Sequence, residues 1–176
     1  DHPRNRQFVK QIFYHQGMLV TKEKKKHEDE DKVYEMYYDY HEKVDRIVAH
    51  RILAVNRAEK EKVISVNIEV DEAKLLERLL ERVLRKRETI VVEYLRTCVK
   101  DAYKRLIAPS IEREIRNELT EMAENQALNI FSINLEKLLL QAPMKDRMVL
   151  GVDPAIRTGC KLAVVDVTGK VLKIDK

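Results

Sequence analysis

Residues 18 to 150 contain no glycine; of the four in the chain, Gly17 precedes that stretch and Gly151, Gly159 and Gly169 follow it. Glycine inside a helix costs about 1 kcal/mol relative to alanine. A long glycine-free stretch rich in Leu, Glu, Lys and Arg is therefore expected to be helical. The glycine-bearing tail is expected to be strands and turns. Pro143 falls where a helix would stop, and a domain boundary is expected near 144–147. The division is then a helical region over 1–146 and a separate element over 147–176.

Apolar spacing resolves the helical region further. A helix is expected over 4–15, with Phe8, Ile12 and Phe13 on one face and Gly17 ending it. A second is expected over 44–55, carrying Val44, Ile47, Val48, Ile52 and Val55. Asp71 is placed to cap a third, with Glu72 in its first turn and a buried face of Leu76, Leu79, Leu80, Val83 and Leu84. Residues 89–106 repeat the pattern with Val91, Tyr94, Leu95, Cys98, Val99 and Ala102. Pro109 suits the first turn of another helix with Ile111, Ile115, Leu119 and Met122 inward. A last segment over 128–140 carries Ile130, Phe131, Ile133, Leu135, Leu138 and Leu139. Residues 18–20 are a short apolar run, and the charge block 22–32 reads as a solvated loop or helix end. Residues 63–70 alternate Ile64, Val66, Ile68 and Val70 with Ser65, Asn67 and Glu69, which argues for a strand. The fold class expected is mainly α, a multi-helix bundle with a small β element.

The tail punctuates differently. An apolar run from 149 ends in Asp153-Pro154, a turn follows through Gly159, and 162–167 is a second apolar run. Thr168-Gly169 makes another turn before a third run over 171–174.

Composition excludes several classes. Charged residues are 36%, but 34 basic against 30 acidic side chains leave only +4, too even a balance to demand nucleic acid. Apolar residues at 44% suffice for a core. Cys98 and Cys160 have no ligand spacing, so free thiols in a reducing compartment are expected, with Cys98 in the core. No run approaches the roughly 18 apolar residues of a membrane span. The start Asp1-His2-Pro3-Arg4 is polar and lacks an initiator Met, so a piece of a larger protein is expected. His2, His15, His27 and His41 have no ligand-like spacing, and no Walker loop, GxSxG or GxGxxG occurs. No metal or other cofactor is expected.

Four groups of residues invite a functional reading. Asp153 can bind a hard divalent cation, or it can shape the turn with Pro154. Asp166 lies on the next strand. Arg78, Arg82, Arg85 and Lys86 share one side of a helix and can meet phosphates. Glu77, Glu81 and Glu88 are interleaved with them, as in a solvated face of i, i+4 pairs. Tyr34, Tyr37, Tyr38 and Tyr40 can stack on bases or pack a joint. Arg51 and Arg57, with His50, can reach phosphate or tie helices together.

Several blocks carry a resemblance. Gly151-Val152-Asp153-Pro154-Ala155-Ile156-Arg157-Thr158-Gly159 resembles the first-strand motif of YqgF-like and Holliday-junction-resolvase domains of ribonuclease H-like fold. Tyr37-Tyr38-Asp39-Tyr40-His41-Glu42, the run from Ala49 to Arg57, the run from Pro109 to Leu119, then Phe131, Asn134-Leu135 and Leu138-Leu139-Leu140 resemble the bacterial Tex family of transcription accessory proteins. The blocks follow family order and cover nearly the whole chain. There are departures: Val48-Ala49 stands where the family often has Pro-Ser, Ala58 where it has Gly, and Ala155 where Asp-Pro-Gly is usual.

The resemblance implies a large cytoplasmic protein with a helical region, a YqgF-like domain, helix-hairpin-helix elements and an S1 domain. This chain would be the central helical region and the first strands of the YqgF-like domain, a truncated stub of an α/β fold. Nucleic acid, RNA or DNA, would be bound chiefly by the later modules, with the transcription machinery as a protein partner. The function expected is a non-catalytic scaffold. One alternative is part of a Mg²⁺-dependent ribonuclease H-like nuclease whose first carboxylate is Asp153. Another is a helical nucleic-acid-binding module using the basic stripe. Strands of an incomplete sheet are expected to be disordered, packed on helices, or paired between molecules, which permits self-association.

Overall fold

The computed structural model of the protein describes residues 2–24, 32–84, 92–142, 144–155 and 159–176. It divides into two compact units, Asp1–Phe131 and Ser132–Lys176. The first is mainly helical with a small antiparallel sheet; the second carries a separate three-stranded sheet.

In the first unit, α1 (Pro3–Gln16) buries Val9, Ile12 and Phe13. Pro3 opens it, where a missing N–H costs nothing. Gly17 closes it: its N–H donates to Phe13 O at 3.1 Å. A Cβ at Gly17 would sit 2.1 Å from that same oxygen, so the corner requires glycine for close approach. The short apolar run becomes the start of β1 (Met18–Glu23), the centre of a sheet ordered β2-β1-β3. β1 pairs antiparallel with β2 (His41–Lys43) and with β3 (Ile64–Glu69), Leu19 opposite Glu42 and Ile68. The alternation read from 63–70 is obeyed, with Ile64, Val66 and Ile68 buried.

Several expectations about helices need correction. The helix expected over 44–55 is α2, Ala49–Lys60. Residues 41–43 are taken by the sheet, and Val44 N–H donates to Gly17 O, so the chain turns at 44–48 before the helix starts. Val44 and Ile47 are buried from the turn, not from a helix face. α3 (Glu72–Leu84) is capped as expected, Asp71 Oδ1 accepting from Lys74 N–H at 3.1 Å. Its buried residues are Leu75, Leu79 and Leu80, whereas Val83 is exposed.

Pro109 lies in the first turn of a helix, as expected, but no loop separates that helix from the one before it. α4 (Val92–Ala102) runs through a π-helical turn, Tyr103–Ile107, into α5 (Ala108–Leu139) with no loop between. In α geometry the proline ring would strike the carbonyl four residues back and leave it without a donor. The wider turn relieves this: Ala108 N–H reaches Tyr103 O, five residues back. The separate segment expected over 128–140 is likewise the end of α5. The Cys98 face of α4 is not core: no residue of α4 is buried, and Cys98 and Tyr94 are exposed.

α5 has two unlike halves. Ile111, Ile115, Leu119 and Ala123 form a ridge at i, i+4 spacing, all buried, in one apolar cluster with residues of α1, α2, α3 and the sheet. Ala123, not Met122, continues the ridge; Met122 is exposed. Beyond it, Leu128, Ile130, Phe131, Ile133, Leu135, Leu138, Leu139 and Leu140 are all exposed.

In the second unit, β4 (Val149–Asp153), β5 (Lys161–Val165) and β6 (Val171–Asp175) form an antiparallel meander in that order. The three strands, expected to be disordered, packed on helices or paired between molecules, are ordered and pair with one another within the chain. Arg85, Lys86, the start of the helix expected at 89, His27 and most of the 22–32 charge block lie outside the described residues.

Ile115→Ala is expected to lower unfolding free energy by about 2–5 kcal/mol, because it opens a cavity in the ridge. Leu138→Ala on the exposed half should change it by about 0.5 kcal/mol or less. Chemical denaturation followed by far-UV circular dichroism measures both.

Candidate functional site

Asp153 ends β4 opposite Lys161 of β5, whose Nζ lies 3.8 Å from Asp153 Oδ2. Both side chains are well exposed, so the pair is weak and solvent-screened. Asp166 is differently employed. Its Oδ1 accepts from Thr168 N–H at 2.8 Å, Thr168 Oγ1 at 2.7 Å and Lys170 N–H at 3.0 Å. This Asx turn, closed by Gly169 at φ 86°, sets the β5–β6 reversal. The Thr168 hydroxyl, then the Thr168 backbone N–H, hold the Asp166 carboxyl below its ordinary range. Among the described residues, no three His, Cys, Asp or Glu side chains are grouped to hold a metal ion.

The arginines separate into two kinds. Arg51 Nη1 donates to Glu42 Oε1 at 2.7 Å, and Tyr40 O–H donates to the other oxygen of the same carboxylate. Glu42 thus joins α2 to β2 and to the tyrosine segment. Burial first, and then the Glu42 hydrogen bond, push the Tyr40 hydroxyl up to about 12. Arg51 is therefore a tie between elements. Arg57 is mostly exposed and pairs with Glu61 one turn on, at 3.2 Å. His50 is exposed at the start of α2.

The basic stripe presents Arg78 and Arg82 on the exposed side of α3; Arg85 and Lys86 lie outside the described residues. No carboxylate approaches Arg78 or Arg82 within ion-pair distance among the described residues. The Arg82 guanidinium instead lies 4.5 Å from the centre of the Phe8 ring on α1.

The tyrosines pack. Tyr34 and Tyr37 are buried, and Tyr37 meets Tyr40 edge to face with centroids 5.4 Å apart. Buried Thr21 joins them, its hydroxyl donating to Tyr37 O and accepting from Tyr40 N–H.

A further polar group was not foreseen from sequence. Arg116 of α5 donates to both carboxylate oxygens of Glu59 and to Asn56 Oδ1 on α2, and Asn56 donates to Thr120 Oγ1 at 2.8 Å. Glu112 accepts from the β3 edge at Ile68 N–H, 2.8 Å. Lys10 of α1 reaches Glu114 and Glu118. The available signal was that Glu112, Arg116 and Thr120 each follow a ridge residue of α5 by one position.

Comparison with known proteins places these features. A family model described as Tex central region-like matches residues 3–131, and one described as Tex protein YqgF-like domain matches 147–176. The chain is 52% identical to the uncharacterized protein YdcI of Bacillus subtilis (strain 168), over 99% of its own length and 24% of the relative's. It is 35% identical to the transcriptional accessory protein Tex of Neisseria gonorrhoeae, over 82% of the chain and 20% of the relative. It is 33% identical to S1 RNA-binding domain-containing protein 1 of Homo sapiens, over 89% of the chain and 16% of the relative. The chain thus spans about a quarter or less of these relatives.

Two titrations test the geometry. Asp166 should titrate below the ordinary carboxylate value of about 3.9 by carbon-detected NMR, and Thr168→Ala should raise it. A depressed folded value means that this turn's stabilisation is present above the ordinary carboxylate range and is lost as pH falls through the Asp166 value. Tyr40 should ionise at about 12 by ultraviolet absorbance, and Glu42→Gln should bring it down. Its raised value favours the fold below the ordinary tyrosine range near 10, a contribution lost as pH rises toward 12.

Proposed function

The chain belongs to the Tex family, and we propose that it is the non-catalytic framework segment of a cytoplasmic transcription accessory factor. It positions nucleic-acid-binding modules that lie elsewhere in the protein, and it works without a bound metal or cofactor. The observation that carries this reading is the employment of its polar side chains. Glu42, Glu59, Arg51 and Arg116 join α2 to β2 and α5, Glu112 joins α5 to β3, and Asp166 is committed to its own turn. Groups so held are spent on architecture, whereas catalysis requires acids, bases or ligands converging on a reacting atom.

The name of the human relative attributes RNA binding to that protein, and that of the Neisseria gonorrhoeae relative a role as a transcriptional accessory protein. Carried to this chain, they support nucleic acid, RNA or DNA, and the transcription machinery as partners of the whole protein. No helix among the described residues is long and apolar enough to cross a membrane. The outer strands β4 and β6 each present an open edge, the route by which this chain would self-associate.

The reading is tested by incubating the whole protein with labelled duplex and branched DNA and with RNA in Mg²⁺. No cleavage is expected, and Asp153→Asn should leave nucleic-acid binding unchanged. Mg²⁺-dependent cleavage that disappears in Asp153→Asn would overturn it.

A further inference from the structure

We propose that Arg78 and Arg82 of α3, with the Arg82 guanidinium over the Phe8 ring of α1, form a phosphate-binding surface for a nucleic-acid backbone. This goes beyond the framework reading, which puts nucleic-acid contact in other modules.

The first observation is the row that the two arginines share on α3. At about 100° per residue, Arg78 and Arg82 lie about 40° apart around the helix, with Glu77 about 100° and Glu81 about 60° from Arg78. The groove between α3 and α4 is lined by Glu72, Leu76, Glu77 and Leu80 facing Arg96 and Lys100. Glu72 is engaged instead by Lys104 of the π-helical turn, at 3.1 Å, and Arg82 lies against α1. Among the described residues neither Arg78 nor Arg82 forms an intrahelical ion pair with Glu77 or Glu81.

The second observation is how Arg82 is held. Its guanidinium rests on the Phe8 ring at 4.5 Å, and Phe8 is itself partly buried against the core. Stacking of this kind restrains a long side chain while leaving its N–H donors free at the edge. A guanidinium with restrained orientation and unspent donors suits the fork geometry of a phosphate. Arg78, one turn earlier on the same row, adds a second positive charge. A contact made by guanidinium groups to phosphates is to the backbone and blind to sequence.

Fluorescence anisotropy of this chain with labelled single-stranded RNA and its DNA counterpart, across a salt series, tests the proposal. Binding should weaken linearly in log–log terms as salt rises. Arg78→Ala/Arg82→Ala should flatten that slope by about 1.5, on the order of 0.7–0.9 per lost phosphate contact. The charge-matched Lys60→Ala/Arg113→Ala, on α2 and α5, should leave it unchanged. Arg82→Lys keeps the charge but not the guanidinium; it should keep the slope while weakening binding severalfold. Far-UV circular dichroism and a urea midpoint confirm that each variant is folded. No binding at the lowest salt overturns the proposal, as does equal flattening by the control double variant. Parent-like binding by Arg82→Lys overturns the part given to Phe8. None of these results touches the framework reading, which fails only by Mg²⁺-dependent cleavage.

Discussion

The buried ridge on the first half of α5 is the constraint on which the first unit depends. Ile111, Ile115, Leu119 and Ala123 recur every fourth residue, so they stand nearly in line along the helix and enter one apolar cluster. Their neighbours in sequence supply the polar ties. Ser110 accepts from Arg6 of α1 at 2.6 Å, Glu112 satisfies the β3 edge, and Arg116 and Thr120 hold α2. Apolar burial supplies the driving force, and the ties choose which faces meet. Capping of the Ile68 N–H by Glu112 also uses a donor that would otherwise invite a foreign strand.

The same arrangement explains why so few charged residues are left for chemistry. A carboxylate that accepts from an arginine and a tyrosine, as Glu42 does, is fixed in place. Asp166 is fixed by three donors of its own turn. Asp153 is the opposite case: exposed, with Lys161 Nζ 3.8 Å away. Neither condition is that of a tuned acid or base, which combines burial with a specific charge partner in a cleft. Arg78 and Arg82 differ from the framework cations because, among the described residues, no carboxylate lies within ion-pair distance of either.

What was legible in the sequence was periodicity. The alternation over 63–70, the Asp71 cap, the glycine corner at Gly17 and the three strands of the tail rest on local signals, and the structure honours them. What was not legible depended on partners distant in sequence. Residues 41–43 are polar and short, and only β1 makes them a strand; this pushed α2 to begin at Ala49. Pro109 sits in the first turn of α5 as a local rule places it, but the continuity of that helix with α4 was not legible. The π-helical turn that lets it sit inside a continuous helical run is not encoded by apolar spacing. Cys98 lies on an apolar face, yet α4 packs no residue deeply enough to bury it. Of the candidate site, the ambiguity at Arg51 was resolved only by Glu42 nine residues away, and the Phe8–Arg82 stack joins positions no sequence window connects.

The central claim is that the ridge half of α5 is the framework of the first unit, while its exposed apolar half contributes nothing to that framework's stability. Amide hydrogen exchange along α5 tests it directly. The account predicts that amides over 111–123 exchange only through global unfolding, at the level of β1 and β3, while those over 128–139 exchange much faster through local opening. Uniform protection along the whole helix, or faster exchange over 111–123 than over 128–139, would contradict it.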